Sequence, residues 1–209
     1  MTQMQPFSLV AVLVMALVGA LSSTPSPVTY RVKAAESRFA VEVGRSGLFK
    51  ALGHDHLIVV ERFTGEVDFV PSTPQSSRFS LDVDAASLKV EDDEVSDEDR
   101  EKIQSDMDAK ALDLPTHPHI VFESTRVEVD KADAATFQLR VSGTLSLRGV
   151  EKPLVIPLTL TTNGDRLTAT GEFVLRSDAW GVPQISAVGG AVKTKEDLHL
   201  TFQITAEKN

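Results

Sequence analysis

Cysteine is absent from this 209-residue chain, and several functions go with it. No disulfide framework can staple the fold, no thiol can serve as a nucleophile, and no N-terminal cysteine can carry a lipid anchor. Tryptophan and tyrosine are almost as scarce: Trp180 and Tyr30 are the single residues of their kinds, against ten phenylalanines. The aromatic platforms of a sugar or nucleic-acid binder are therefore missing. Positive charge is in deficit, with 21 Lys and Arg against 30 Asp and Glu and a net charge of −9. An acidic surface repels phosphate backbones and anionic membranes, so nucleic acid is not an expected partner. The chain has no Gly-x-Ser-x-Gly elbow and no Walker or dinucleotide glycine pattern. No enzyme activity is expected and no catalytic residue is assigned.

Long hydrophobic runs occur once. The stretch from Phe7 to Leu21 is apolar but short for a membrane span, and the first 23 residues carry no charge. Small residues follow, with Val18-Gly19-Ala20 offering a cleavage site and Ser23 a second. Residues 1–23 read as a secretory signal peptide, although no Lys or Arg precedes Phe7; an uncleaved anchor is the alternative. Residues 24–29 form a spacer, and residues 30–209 form one domain. The expected location is the periplasm or outside the cell, with no membrane span in the mature form. A mature chain of about 186 residues is long enough to bury roughly 70% of its extended surface in one domain.

What the sequence has in abundance is alternation. Side chains on a strand change face at every residue, so a two-residue hydrophobic period marks a sheet with one oily face. Phe137, Leu139 and Val141 alternate with Gln138, Arg140 and Ser142, and after a turn at Gly149 the set Leu154, Ile156, Leu158, Leu160 continues the pattern. Pro157 falls on the outward set, where its missing N–H suits an edge or bulge. The period returns at Phe39–Val43, at Phe79–Val83, from Ile120 to Val129, from Leu167 to Leu175 and from Leu198 to Ile204. Turn chemistry separates these stretches at Pro71–Pro74, Asn163-Gly164 and Gly189-Gly190. Eight or nine strands at meander spacing predict an all-β, mainly antiparallel, up-and-down barrel around an apolar interior. That interior is either packed solid or hollow; the small inward residues Ala169 and Gly171 favour a cavity.

One segment breaks the period. Ser96 to Lys110 reads SDEDREKIQSDMDAK, with Ile103, Met107 and Ala111 four apart, Ser96 as N-cap and three acids in the first turn. A single inserted helix is expected there. The acids between Glu91 and Glu101 lack the spacing and the glycine of an EF-hand, so they read as a solvated helix start.

Four of the five histidines form two pairs, His54-Asp55-His56 and His117-Pro118-His119. On an extended strand, residues i and i+2 share a face, so each pair can present two imidazoles to one ion. If His54, His56, His117 and His119 converge at the rim of the barrel, they suit a transition metal, with Asp55 and Asp113 as supporting carboxylates. Otherwise all four are ordinary loop and turn residues. His199 alternates with Leu198 and Leu200, so it faces solvent and has no assigned role.

In chain order, a tyrosine-led first strand, LFKALGHDHL, FTGEVDF with Gly65, the charged helix, LDLPTHPHIVFEST (Leu112 to Thr125), VSGTLSLRGVEKPLVIPL (Val141 to Leu158) and SDAWG (Ser177 to Gly181) resemble the YceI-like, polyisoprenoid-binding family. The resemblance runs from Tyr30 to about Ala206. It departs where His117 replaces the family's tyrosine before Pro118, and where His54 and His56 flank the Gly53 region. It implies a lipocalin-like barrel with one inserted helix and no catalysis. It also implies that a long apolar or amphiphilic chain, such as an isoprenoid or fatty-chain small molecule, is carried inside. The expected lining is Phe39, Val41, Leu81, Val83, Ile120, Phe122, Leu139, Leu145, Ile156, Leu158, Phe173 and Phe202. No cofactor is expected unless the histidines hold a metal. The oligomeric state stays open, a homodimer included, and a packed barrel used as an interaction scaffold is the third reading.

Overall fold

The computed structural model describes residues 26–47, 55–187 and 191–209. The expected signal peptide lies outside the described residues, as does His54. Twelve strands appear among the described residues: β1 (Val28–Val32), β2 (Arg38–Ser46), β3 (His56–Val60), β4 (Phe63–Phe69), β5 (Arg78–Asp84), β6 (Leu88–Val90), β7 (His119–Ala132), β8 (Thr136–Leu147), β9 (Val150–Asn163), β10 (Arg166–Arg176), β11 (Ser186–Ala187) and β12 (Val192–Lys208). The first strand opens inside the span expected to be spacer.

These strands reduce to eight staves. β1 and β2 run along the same edge of β12, through Val32–Ala206 and then Phe39–Phe202, interrupted only by a helical turn at Ala34–Glu36. β3 and β4 likewise form one kinked stave opposite β2 and β1, and β5 with β6 forms a third opposite β4 and β3. β7, β8, β9, β10 and β12 follow in order, every neighbour antiparallel, and β12 closes on the first stave. The result is an eight-stranded up-and-down barrel with one helix, so the ladder ends are largely removed by closure.

The hairpin at the centre of the pattern turns on Arg148 and Gly149, both with positive φ (56° and 73°), the pair of conformations that a two-residue turn between twisted strands requires. Gly149 is tight for a second reason: a Cβ there would stand 2.7 Å from the ring of His117. Arg148 adopts the strained conformation while its guanidinium donates to the carbonyls of Lys110 (3.0 Å), Ala111 (3.4 Å) and Gly181 (3.3 Å). It thereby satisfies backbone acceptors left open at the end of the helical segment. β9 and β10 are paired from Asn163–Arg166 to Thr159–Thr170, and Pro157, which has no N–H to give, lies just past the end of that ladder.

The β9–β10 ladder stops at Thr159–Thr170, and a second opening in the barrel wall lies where β5 pairs with β7 but its continuation β6 does not. Helix α1 (Asp97–Asp106) fills it. Ser96 caps its start, accepting from the Asp99 N–H (3.1 Å), with Asp97, Glu98 and Asp99 in the first turn. The helix widens into a π turn over Met107–Leu112 and ends at Asp113 with φ 52°. That widening buries Met107, Ala111 and Leu112 together against Val60, Phe63, Val83, Leu88 and Val90. The free edge of β6 is covered by one side chain: Gln104 accepts from the Val90 N–H (3.0 Å) and donates to the Leu88 carbonyl (2.9 Å), as a neighbouring strand would.

Candidate functional site

Inward residues divide the barrel into a solid floor and a hollow upper part. At the floor, Phe69, Leu139, Leu160 and Leu167 are at most 2% exposed, and Phe69 meets Phe137 edge to face at 5.3 Å. Further up, Phe39, Leu81, Ile120, Ile156, Leu158, Phe173 and Phe202 point to the same axis yet are only half-buried. The surface they expose is the wall of an internal cavity of about 720 Å³. Its size falls in the range of small-molecule sites, roughly 300–1,000 Å³.

Eleven of the twelve residues expected to line an interior do line this cavity: Phe39, Val41, Leu81, Val83, Ile120, Phe122, Leu145, Ile156, Leu158, Phe173 and Phe202. Leu139 does not; it is 2% exposed and belongs to the packed floor. The alternation that marks an inward residue carries no information on its height along the axis, which is why the floor and the wall look alike in sequence. Phe39, Phe202 and Phe173 form an edge-to-face row with 6.4 Å between neighbouring centroids. Gly171 also departs from expectation. The space a side chain would take is filled by the Phe202 ring, 2.6 Å from an added Cβ, so it provides packing room for Phe202. Ala169, in contrast, is part of the cavity wall.

Helix α1 and its extension supply Ile103, Met107, Ala111 and Leu112 to the wall, a contribution that only the fourfold spacing of Ile103, Met107 and Ala111 signalled. Polar lining side chains gather where β2 ends and β3 and β12 begin: Arg45, His56, Thr194 and Lys195, facing Asp99, Lys102 and Asp106 from the helix. This end is the mouth. The single tryptophan was not singled out by its sequence context. Trp180 is 5% exposed and its indole N–H donates to the Leu145 carbonyl (3.0 Å), on the outside of the lining.

Among the described residues, His56, His117 and His119 do not assemble a shared metal site. His56 bonds Asp92 (Nδ1 to Oδ2, 2.6 Å), His117 lies 3.8 Å from Asp113, and His119 bonds Asp82 (2.9 Å). Three histidines thus have three separate carboxylates, and among the described residues no group of three or more His, Asp or Glu side chains could hold an ion. The physical reason is local. His117 and Pro118 lie in the irregular stretch between the turn at residues 114–116 and β7, and only His119 is in the strand, so the i, i+2 rule does not apply to them. Asp55 is occupied with Arg45, accepting from its backbone N–H at 3.0 Å. His199 is exposed, as its alternation predicts.

A closed eight-stranded barrel with a packed floor, an apolar chamber and a polar end is the lipocalin-like architecture. The chain belongs to the YceI-like domain family, whose profile matches residues 30–206. Among solved structures it is similar to Burkholderia cenocepacia BcnA, with 18% identity, a TM-score of 0.64, and coverage of 83% of this chain and 98% of that one. It is also similar to a polyisoprenoid binding domain from Saccharophagus degradans (12% identity, TM-score 0.63, coverage 87% and 99%). The Campylobacter jejuni YceI protein matches at 13% identity with a TM-score of 0.55, covering 73% of this chain and 84% of that chain. At these identities the likeness establishes the fold. No curated protein matches the chain. Among the described residues, no helix is long and apolar enough to cross a membrane.

Proposed function

We propose that this chain is a non-catalytic carrier of a long apolar or amphiphilic lipid, isoprenoid-like in its tail, working in the periplasm or outside the cell. The observation that carries the reading is the chamber itself: about 720 Å³ walled by Phe, Leu, Ile and Val side chains above a solid floor. A cavity of that character stays unfavourable for water and favourable for hydrocarbon, because few polar partners are present for a solvent molecule. The polyisoprenoid binding of the Saccharophagus degradans domain supports an apolar-chain ligand, and the uncharged, apolar first 23 residues support export.

Energetics restrict the ligand further. Each buried methylene contributes about 0.8 kcal/mol, and association costs several kcal/mol at least, so short chains do not bind measurably. Affinity for a homologous series of fatty alcohols, followed through the fluorescence of Trp180, is therefore expected to rise about fourfold per added carbon and then level off when the chamber is full. Affinity independent of chain length would refute a tail-in-barrel carrier.

A further inference from the structure

We propose that His56, oriented by Asp92, is the polar anchor of the cavity and selects lipids whose head is a hydrogen-bond-donating hydroxyl, an alcohol or a phenol. The inference rests on the carrier reading above. His56 occupies the first inward position of β3, ahead of Ile58 and Val60, and lines the chamber with them at the mouth. Its Nδ1 is 2.6 Å from Asp92 Oδ2. Asp92 is held rigidly: its side chain is 4% exposed, its Oδ1 accepts from the Leu57 N–H (2.7 Å), and its carbonyl accepts from Arg100 Nε (3.2 Å) and Nη2 (2.9 Å).

A carboxylate only accepts, so the proton of the neutral imidazole sits on Nδ1, and Nε2 is left as an acceptor. Nε2 has no partner among the described residues, although the side chain is only 20% exposed. Burying a carboxylate beside an apolar chamber is costly unless every oxygen is satisfied. Here that arrangement fixes one ring nitrogen and offers the other to a ligand. The chemistry that answers such a nitrogen is an O–H. An ether, which can only accept, leaves it unpaired. Arg45, the other inward polar group on this wall, is already engaged with Asp55 at 3.7 Å. Lys102, Lys193 and Lys195 are the cations that would serve an anionic head instead, and Glu94, Asp99 and Asp106 offset them.

The test uses the full chain, stripped of lipid, with three probes of equal tail: dodecanol, methyl dodecyl ether and dodecanoate. Dodecanol is expected to bind about tenfold more tightly than the ether, the factor that one net hydrogen bond supplies. In His56→Leu the alcohol should fall to the affinity of the ether, while the ether stays within about twofold of its wild-type value. Asp92→Asn is the positioning control. Its amide N–H can donate to Nδ1 and shift the ring proton to Nε2, which ether and alcohol oxygens accept alike, so the ether should bind more tightly than to the wild type and draw level with the alcohol, a gain that mere loosening of the fold would not produce. Equal binding of alcohol and ether to the wild type overturns the anchor and leaves the carrier reading standing. A preference that survives in His56→Leu, or tighter binding of dodecanoate than dodecanol, also overturns it by moving recognition to the mouth cations. Failure of all three probes to bind the wild type would refute the carrier reading and the anchor together.

Discussion

Ser87 illustrates what a single buried hydroxyl does in this barrel. It is 0% exposed and sits where two staves kink at the same level, β3 into β4 and β5 into β6. Its Oγ accepts from the Arg62 N–H (2.9 Å) and donates to the Asp84 carbonyl (2.7 Å). Ser87→Ala leaves that buried N–H without a partner, so a loss of about 1–3 kcal/mol is expected in denaturant unfolding; a change within error would mean the kinks hold without it. Exposed pairs behave differently. Arg62 on Asp84, Arg176 on Asp178 and Arg166 on Glu207 each hold a carboxyl below its ordinary value, chiefly through hydrogen bonds to the guanidinium. A folded pKa below the unfolded one gives stability that is present above the unfolded value and lost as pH falls through the folded one. The melting difference between the wild type and an Asp84→Asn, Asp178→Asn, Glu207→Gln variant should therefore be present at pH 7, begin to fall near the ordinary carboxylate value of about 4, be lost as pH drops on through the lower folded values, and shrink in high salt. A difference as large at pH 2.5 as at pH 7 would contradict the assignment. None of these pairs was legible in sequence, because each joins residues brought together only by register or by a turn.

Among the elements, strand identity was legible and strand continuity was not. The alternation of Phe137 to Leu160 marks a hairpin whatever surrounds it, and Leu147–Val150 closes it as the Gly149 turn predicts. Nothing in the residues around Ala34–Glu36 or Glu61–Arg62 says that the flanking strands are halves of one stave, since a kink needs only a few compatible backbone angles. The His117-Pro118-His119 pair misled for a related reason: spacing specifies a face only inside a regular element, and His117 lies just outside one. Leu139 and Gly171 misled because alternation gives the face and not the height or the neighbour. The helix was legible from its cap and first turn, but its role as the filler of the β6–β7 seam needed the topology. That role has a direct test. Gln104→Ala removes the two bonds that cover the β6 edge, so the Val90 amide should lose at least tenfold of its hydrogen-exchange protection while amides in β8 keep theirs. Unchanged protection at Val90 would show that the edge is covered by other means.

At the scale of the whole molecule, the barrel separates two jobs. Phe69, Phe137, Leu160 and Leu167 make a floor that is packed like any core and supplies stability. Above it the same alternation continues around an unfilled chamber, so the inward side chains there face a cavity that a ligand can occupy. The packed core and the chamber thus occupy different levels of one set of staves, and on the proposed reading a bound lipid should raise the melting temperature with the logarithm of its affinity. The acidic composition, at a net charge of −9, repels anionic surfaces. The most direct measurement of the central claim is native mass spectrometry of the protein purified from its own host, followed by lipid extraction. The account predicts a discrete added mass that becomes one long-chain lipid on extraction and is diminished when Ala169→Trp intrudes into the chamber. Protein that repeatedly carries no lipid, or an adduct that Ala169→Trp leaves undiminished, would contradict it.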